Sequence, residues 1–282
     1  MSSQPYKVVK VLNNNVILAL QGDIEKILFG KGIGFKKSSG SIIDSNMGID
    51  KVFSLEDKEN LSKFNQILTT VDSEFIGVCE EIICMIGSQF EEELDERIHV
   101  ALTDHITFTI ERLKKNEEIT NPFLIETETL YKDEFKVAQK AMNILEAHTG
   151  IKIPDGEIGF IALHIHTARN KSRLSNTIRY ASLATSIVEL IEHELDIRID
   201  KNSLDYARFV IHLRFAIERV IKNNTIRNEL LGTIKRKYLS SYKIAIKAGE
   251  LIEKLFNIRI VQDEIGYIAM HIEKLKNASV IY

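Results

Sequence analysis

The chain has 282 residues, 44% hydrophobic and 27% charged, an ordinary globular composition that excludes a disordered polymer. At roughly 100–200 residues per domain, the length suggests two or three domains. The net charge of −3 excludes a bulk-cationic nucleic-acid binder, yet residues 1–40 carry six lysines against Asp23 and Glu25, a local +4 that leaves −7 for the rest. A small basic head on an acidic body suits a polyanion bound at one end.

Residues 6–43 read as short strands. Tyr6-Lys7-Val8-Val9-Lys10-Val11-Leu12 and Val16-Ile17-Leu18-Ala19-Leu20 are β-rich runs split by Asn13-Asn14-Asn15. Asparagine suits a turn there because it tolerates the left-handed region and bonds its own backbone. Gln21-Gly22-Asp23 turns into a third strand, Lys26-Ile27-Leu28-Phe29. Three glycines spaced two apart follow, in Gly30-Lys31-Gly32-Ile33-Gly34-Phe35-Lys36-Lys37, and Ser38-Ser39-Gly40-Ser41 leads into Ile42-Ile43. The pattern predicts a meander of about four antiparallel strands, too small to bury much core by itself. A dimer would complete it. Residues 55–66 are charged, lack strand character and read as a linker into the first helix.

From there apolar residues recur at spacings of three and four; Leu102, Ile106, Thr109, Ile110 and Leu113 share one helical face. Pro122 and Pro154 mark breaks. Cys79 and Cys84 fall in helical sequence and point apart, which argues against a disulfide. No wholly apolar run exceeds about five residues, against the roughly 20 needed to span a bilayer. The start, Met1-Ser2-Ser3-Gln4-Pro5-Tyr6-Lys7, has no apolar core of a signal peptide. A reduced, cytoplasmic protein without membrane insertion is expected.

The helical part repeats itself. His105-Ile106-Thr107-Phe108-Thr109-Ile110-Glu111-Arg112 matches His212-Leu213-Arg214-Phe215-Ala216-Ile217-Glu218-Arg219 at five of eight positions, offset 107. Glu157-Ile158-Gly159-Phe160-Ile161-Ala162-Leu163-His164-Ile165 matches Glu264-Ile265-Gly266-Tyr267-Ile268-Ala269-Met270-His271-Ile272 at seven of nine, at the same offset. Two blocks in one register mean whole duplicated domains, joined near residues 169–176.

Each repeat contributes two histidines, His105 with His164 and His212 with His271. A single helical histidine is most often structural. On a helical wheel His105 lies at the rim of its apolar face, held yet reachable, whereas the segment around His164 is apolar almost all round. His164-Ile165-His166 would chelate a metal on a strand. On a helix, with Asp155 near its N-cap, the two rings diverge by about 200°, and the second repeat has Glu273 in place of His166. No hydrolase, zinc-protease or phosphate-loop motif is present, and the glycine run lacks the following helix a dinucleotide site requires. No cofactor, metal or catalytic residue is assigned, and a conventional enzyme is disfavoured.

Lysines on strands are often no more than a solvated face. Here they stand beside asparagines, a glycine run and Phe35. Glycines admit a sugar-phosphate backbone, asparagine amides read edges, Phe35 offers a stacking face and lysines neutralise phosphates. A sheet with loops suits RNA better than the DNA major groove.

Val11-Leu12-Asn13-Asn14-Asn15-Val16-Ile17, the Gly30 to Lys37 run, Leu102-Thr103-Asp104-His105, Ala162-Leu163-His164-Ile165 and their second-repeat counterparts resemble, over essentially the whole chain, the bacterial transcriptional antiterminators of the sugar phosphotransferase system, most of all the glucose-type branch. The resemblance implies an α+β chain: a small antiparallel β RNA-binding domain (1–60), then two tandem homologous all-α helical bundles, phosphotransferase regulation domains at 66–171 and 176–282. It implies a homodimer that stabilises an antiterminator RNA hairpin. It also implies regulation through phosphorylation of His105, His164, His212 and His271 by the phosphocarrier HPr and a sugar-specific enzyme II permease. On that reading Lys10, Asn13, Asn15, Gly30, Lys31, Gly32 and Phe35 contact RNA. One departure between repeats is that Asp104 precedes His105 whereas Ile211 precedes His212. A DNA-binding activator built on the same helical modules would need a helix-turn-helix before residue 60, where no such pattern occurs. A histidine-based phosphotransfer or metal enzyme is the third reading.

Overall fold

The computed structural model of the chain describes residues 4–44 and 48–279, so Met1-Ser2-Ser3 of the N-terminal reading lie outside the described residues. Five strands, β1 (Tyr6–Val11), β2 (Val16–Gln21), β3 (Ile24–Phe29), β4 (Ile42–Ile43) and β5 (Lys51–Leu55), pair antiparallel in the order β4-β1-β2-β3-β5. The helices are α1 (Lys58–Thr70), α2 (Ser73–Phe90), α3 (Arg97–Lys114), α4 (Leu124–Leu130), α5 (Lys132–Thr149), α6 (Asp155–Arg169), α7 (Leu174–Leu195), α8 (Leu204–Ile221), α9 (Leu231–Lys237), α10 (Leu239–Phe256) and α11 (Gln262–Ala278). Among the described residues no helix is long and apolar enough to cross a membrane.

The chain folds as two compact units, Met1–Asn121 with Asp133–Leu174, and Pro122–Lys132 with Ser175–Tyr282. In the first, β2 and β3 alternate strictly between the two faces of the sheet. Ile17, Ala19 and Leu28 point to one face with Val8 and Ile43. Val16, Leu18 and Ile27 point to the other, where they meet Phe64, Ile67 and Leu68 of α1 and Ile76 of α2. Two expectations change here. β5 adds a fifth strand, registered Leu28↔Val52. The stretch 55–66 is no linker: Asp57 accepts from the Glu59 and Asn60 amides and starts α1 directly. Its charges face outward while Leu61, Phe64 and Leu68 pack on the sheet, an amphipathic stripe that the density of charge conceals.

The register of β1 slips between Val8 and Lys10. Val8 pairs with Ala19 on the face away from the helices, and Lys10 pairs with Leu18 on the face toward them. Without this bulge, residues two apart would share a face. The bulge therefore turns Lys10 toward α1.

In the second unit α8, α9, α10 and α11 pack together with α4. The repeat seen in sequence is a repeat of elements: α3 and α8, α4 and α9, α5 and α10 begin and end 107 residues apart. The buried Glu126 carboxylate on α4 accepts from the Tyr206 hydroxyl and from Lys201 Nζ at 3.2 Å. Pro154 is the N-cap position of α6, with no side-chain cap, and Asp155 follows it in the first turn, where a negative charge favours the helix N-terminus.

Candidate nucleic-acid interface and histidine sites

The Asn13 turn and the glycine loop form one end of the sheet. Asn13 Oδ1 accepts from the backbone N–H groups of Asn15 at 2.8 Å and Val16 at 2.9 Å, closing the turn on itself. Asn15 Oδ1 accepts from Gly32 N at 3.0 Å, and Gly34 N donates to the Asn14 carbonyl at 2.9 Å, tying the loop to the turn. The glycines play different parts. A Cβ on Gly30 would stand 2.1 Å from the Gly48 carbonyl oxygen, and one on Gly34 2.2 Å from that of Asn13, so both serve loop packing. Gly32 is exposed and open around its Cα, with φ of +70°, a conformation glycine adopts without strain. Lys31 is exposed, and Phe35 is 61% exposed with Lys36 Nζ 5.3 Å from its ring centre.

Lys10, Asn13 and Asn15 are engaged within the unit. Lys10 Nζ donates to the Leu68 carbonyl at 2.8 Å. Both asparagine side-chain amides donate to one oxygen of Glu81 on α2, each at 3.0 Å. The structure thus brings Asn13, Asn15, Gly30, Lys31, Gly32 and Phe35 to one end of the sheet, with Lys10 within β1; Lys31, Gly32 and Phe35 are exposed, and Lys10, Asn13 and Asn15 are bonded to α1 and α2.

The predicted histidines pair within each unit. His105 on α3 and His164 on α6 have ring centres 5.0 Å apart; His212 on α8 and His271 on α11 are 4.5 Å apart and stacked. His105 is one-fifth exposed, as its rim position predicts. Burial, together with the neighbouring His105, pushes His164 down to about 3. Burial, then His212 and Lys274, pushes His271 down to about 4. Both rings are therefore neutral near pH 7, and a neutral ring keeps a nitrogen lone pair free. His166 faces elsewhere, its Nδ1 3.0 Å from Glu134.

Sequence reasoning passed over the groups beside the rings. Glu157, fully buried, lies 3.3 Å from His105 Nε2 and pairs with Arg112 at 2.9 Å, while Thr109 Oγ1 donates to it at 3.1 Å. Burial pushes its carboxyl up, but His105 and Arg112 more than offset this and leave it below the ordinary carboxylate value. In the second unit Glu264 accepts from Nε and Nη2 of Arg219 instead. A cavity of about 250 Å³ opens beside His212 and His271, and another of about 460 Å³ is lined by Arg227, Tyr267, His271 and Lys274. Glu157, Arg112, Glu264 and Arg219 all sit inside the repeated blocks, the signal that could have found them.

Two domain families match these same segments. The family described as CAT RNA binding domain matches residues 6–62, and the family described as PRD domain matches 80–168 and 185–275. The chain belongs to this CAT and PRD family. It is 36% identical over 274 residues to "Transcription antiterminator LicT" of Bacillus subtilis (strain 168), covering 95% of this chain and 98% of that one. It is 37% identical over 278 residues to "Protein GlcT" of Staphylococcus haemolyticus (strain JCSC1435), covering 96% of each. A solved structure, "Crystal structure of GlcT CAT-PRDI", is 40% identical with a TM-score of 0.51, covering 58% of this chain and 98% of that one. The RNA-binding match of this CAT–PRD chain falls on the sheet and the first turn of α1, and each PRD match contains one histidine pair.

Proposed function

We propose that this chain is a sugar-responsive transcription antiterminator of the cytoplasm. As a homodimer it binds an antiterminator hairpin in an mRNA leader and so prevents the overlapping terminator from forming. Residues 1–60 carry RNA contact, and the duplicated modules 66–171 and 176–282 carry regulation. The observation that supports this best is the coincidence of an RNA-binding family match with a surface of lysine, asparagine, open glycine and exposed aromatic side chains. Affinity for a hairpin should fall with salt, by a slope of about −0.7 to −0.9 per phosphate contact.

The histidine pairs are the switch. A neutral ring nitrogen attacks the phosphorus of a phosphohistidine on HPr or on a sugar permease, and the donor imidazole leaves with the bonding electron pair. The product carries about −1.5 to −2 charges where none stood, by analogy with phosphoserine. On His105, that charge would stand against Glu157. Phosphorylation of His105, assisted by His164, turns the protein off; His212 and His271 tune it. A terminator read-through reporter in cells without the sugar tests this. His105→Ala should read through where wild type does not. If His105→Ala stays off while still folding and binding hairpin RNA, the off-switch is assigned to the wrong histidine.

A further inference from the structure

Three of the side chains assigned to RNA are only partly exposed; they are bonded to a piece of their own chain that has the chemistry of RNA's backbone. The amides of Asn13 and Asn15 converge on a single carboxylate oxygen of Glu81, at 3.0 Å each. Lys10 reaches the Leu68 carbonyl in the last turn of α1, the end of a helix where partial negative charge collects. An anion and a negative helix end thus engage groups assigned to RNA. The bulge in β1 is what turns Lys10 to this side.

The approach is built for closeness. Gly77 lies one turn before Glu81 on α2, and a Cβ there would come within 2.6 Å of the Asn13 side chain. Glycine inside a helix costs about 0.5–1 kcal/mol relative to alanine, and the space it leaves is filled by Asn13. Behind the contact, Leu12, Val16 and Leu18 share one apolar cluster with α1 and with Ile76 of α2. Lys31, Gly32 and Phe35 remain outside it and exposed.

We propose that α2 is an internal competitor for the RNA face: Glu81 mimics a phosphate on Asn13 and Asn15, so full RNA contact requires α2 to leave the Asn13 turn. This rests on the RNA-binding reading above. A carboxylate accepting two amide hydrogen bonds is a charge-assisted contact, and its release should tighten RNA binding about tenfold.

The test uses the full chain and a labelled hairpin RNA with an unpaired internal loop, with binding measured by anisotropy. Glu81→Ala removes the mimic. Gly77→Ala leaves charge unchanged, favours the helix and forces Asn13 away. Both should bind the hairpin about tenfold more tightly, and the Asn13 and Asn15 side-chain amide signals, followed by NMR in asparagine-labelled protein, should shift in both. Lys31→Ala and Phe35→Ala, outside the contact, should weaken binding without moving those signals. A gain with Glu81→Ala but none with Gly77→Ala reflects bulk charge and overturns the competitor. So does unchanged affinity in both variants while Lys31→Ala weakens binding as expected. If no variant binds the hairpin, or Lys31→Ala and Phe35→Ala change nothing, the RNA reading itself fails and the competitor falls with it.

Discussion

The two histidine pairs occupy matching positions 107 residues apart, and their neighbours have diverged. In the first unit Thr109 Oγ1 donates to Glu157 Oε2, the same oxygen that lies 3.3 Å from His105 Nε2. The second repeat has Ala216 in place of Thr109, and there Glu264 gives both its oxygens to the Arg219 fork. Further out, Thr120 and Thr167 are replaced by Arg227 and Lys274, which line a cavity with His271. A phosphoryl group would meet a carboxylate in the first unit and cations in the second. One hydroxyl and two cations suffice to give a duplicated backbone two electrostatic characters.

The largest expected difference lies in the buried ion pairs. Glu157→Ala leaves Arg112 buried and unpaired, and should cost about 3–5 kcal/mol of stability in urea unfolding. Glu264→Ala should cost less, because the Arg219 side chain is 24% exposed and can be hydrated. Equal losses would break the contrast. Acid comes next. Because His164 and His271 are held below the ordinary histidine value, the native protein binds fewer protons than the unfolded chain below about pH 6.5. Their contribution is complete above that pH and is lost as pH falls, toward about 4 for His271 and about 3 for His164. NMR titration should find both rings still neutral at pH 5.5, and a midpoint near 6.5 for either would contradict the geometry described.

Thr109→Ala is a finer probe. It should cost about 1 kcal/mol for the lost hydrogen bond and free Glu157 to fork onto Arg112, copying the second site. A crystal structure in which Glu157 keeps its place beside His105 would show that Thr109 does not orient it. The smallest effect belongs to Lys274→Gln. Exposed charge pairs are worth about 0.2–1 kcal/mol, so phosphate retained at His271 should fall a few-fold. Phosphopeptide mapping with acid avoided would measure it, and undiminished retention would remove the cations from the account.

The duplication was fully legible in sequence, because helices inherit their residues in register and the blocks around His105 and His212 carry no gap. The same register showed that each repeat carries two histidines, whereas their contact within a unit appears only in the structure. What escaped depended on partners distant in sequence. Glu81 lies 68 residues from Asn13, and no local pattern joins a helix carboxylate to a strand turn. β5 and α1 were obscured for a different reason: Lys51, Glu56, Asp57, Lys58 and Glu59 make the stretch look solvated, although Leu55, Phe64 and Leu68 supply a buried stripe. The bulge at Val8 and Lys10 leaves no composition signal at all, yet it decides which face Lys10 serves. Glu157 and Glu264 were visible as repeated residues, but a carboxylate in an apolar helix declares its role only when its cation is seen beside it.

Inheritance and folding divide this chain at different places. By ancestry α4 belongs with the first repeat, as the counterpart of α9; by packing, both lie in the second unit. A fragment cut at the junction between repeats would therefore lose Glu126, and with it the carboxylate that accepts the Tyr206 hydroxyl hydrogen bond. The second module is a borrower: its core is finished by a helix encoded about fifty residues before its own repeat begins.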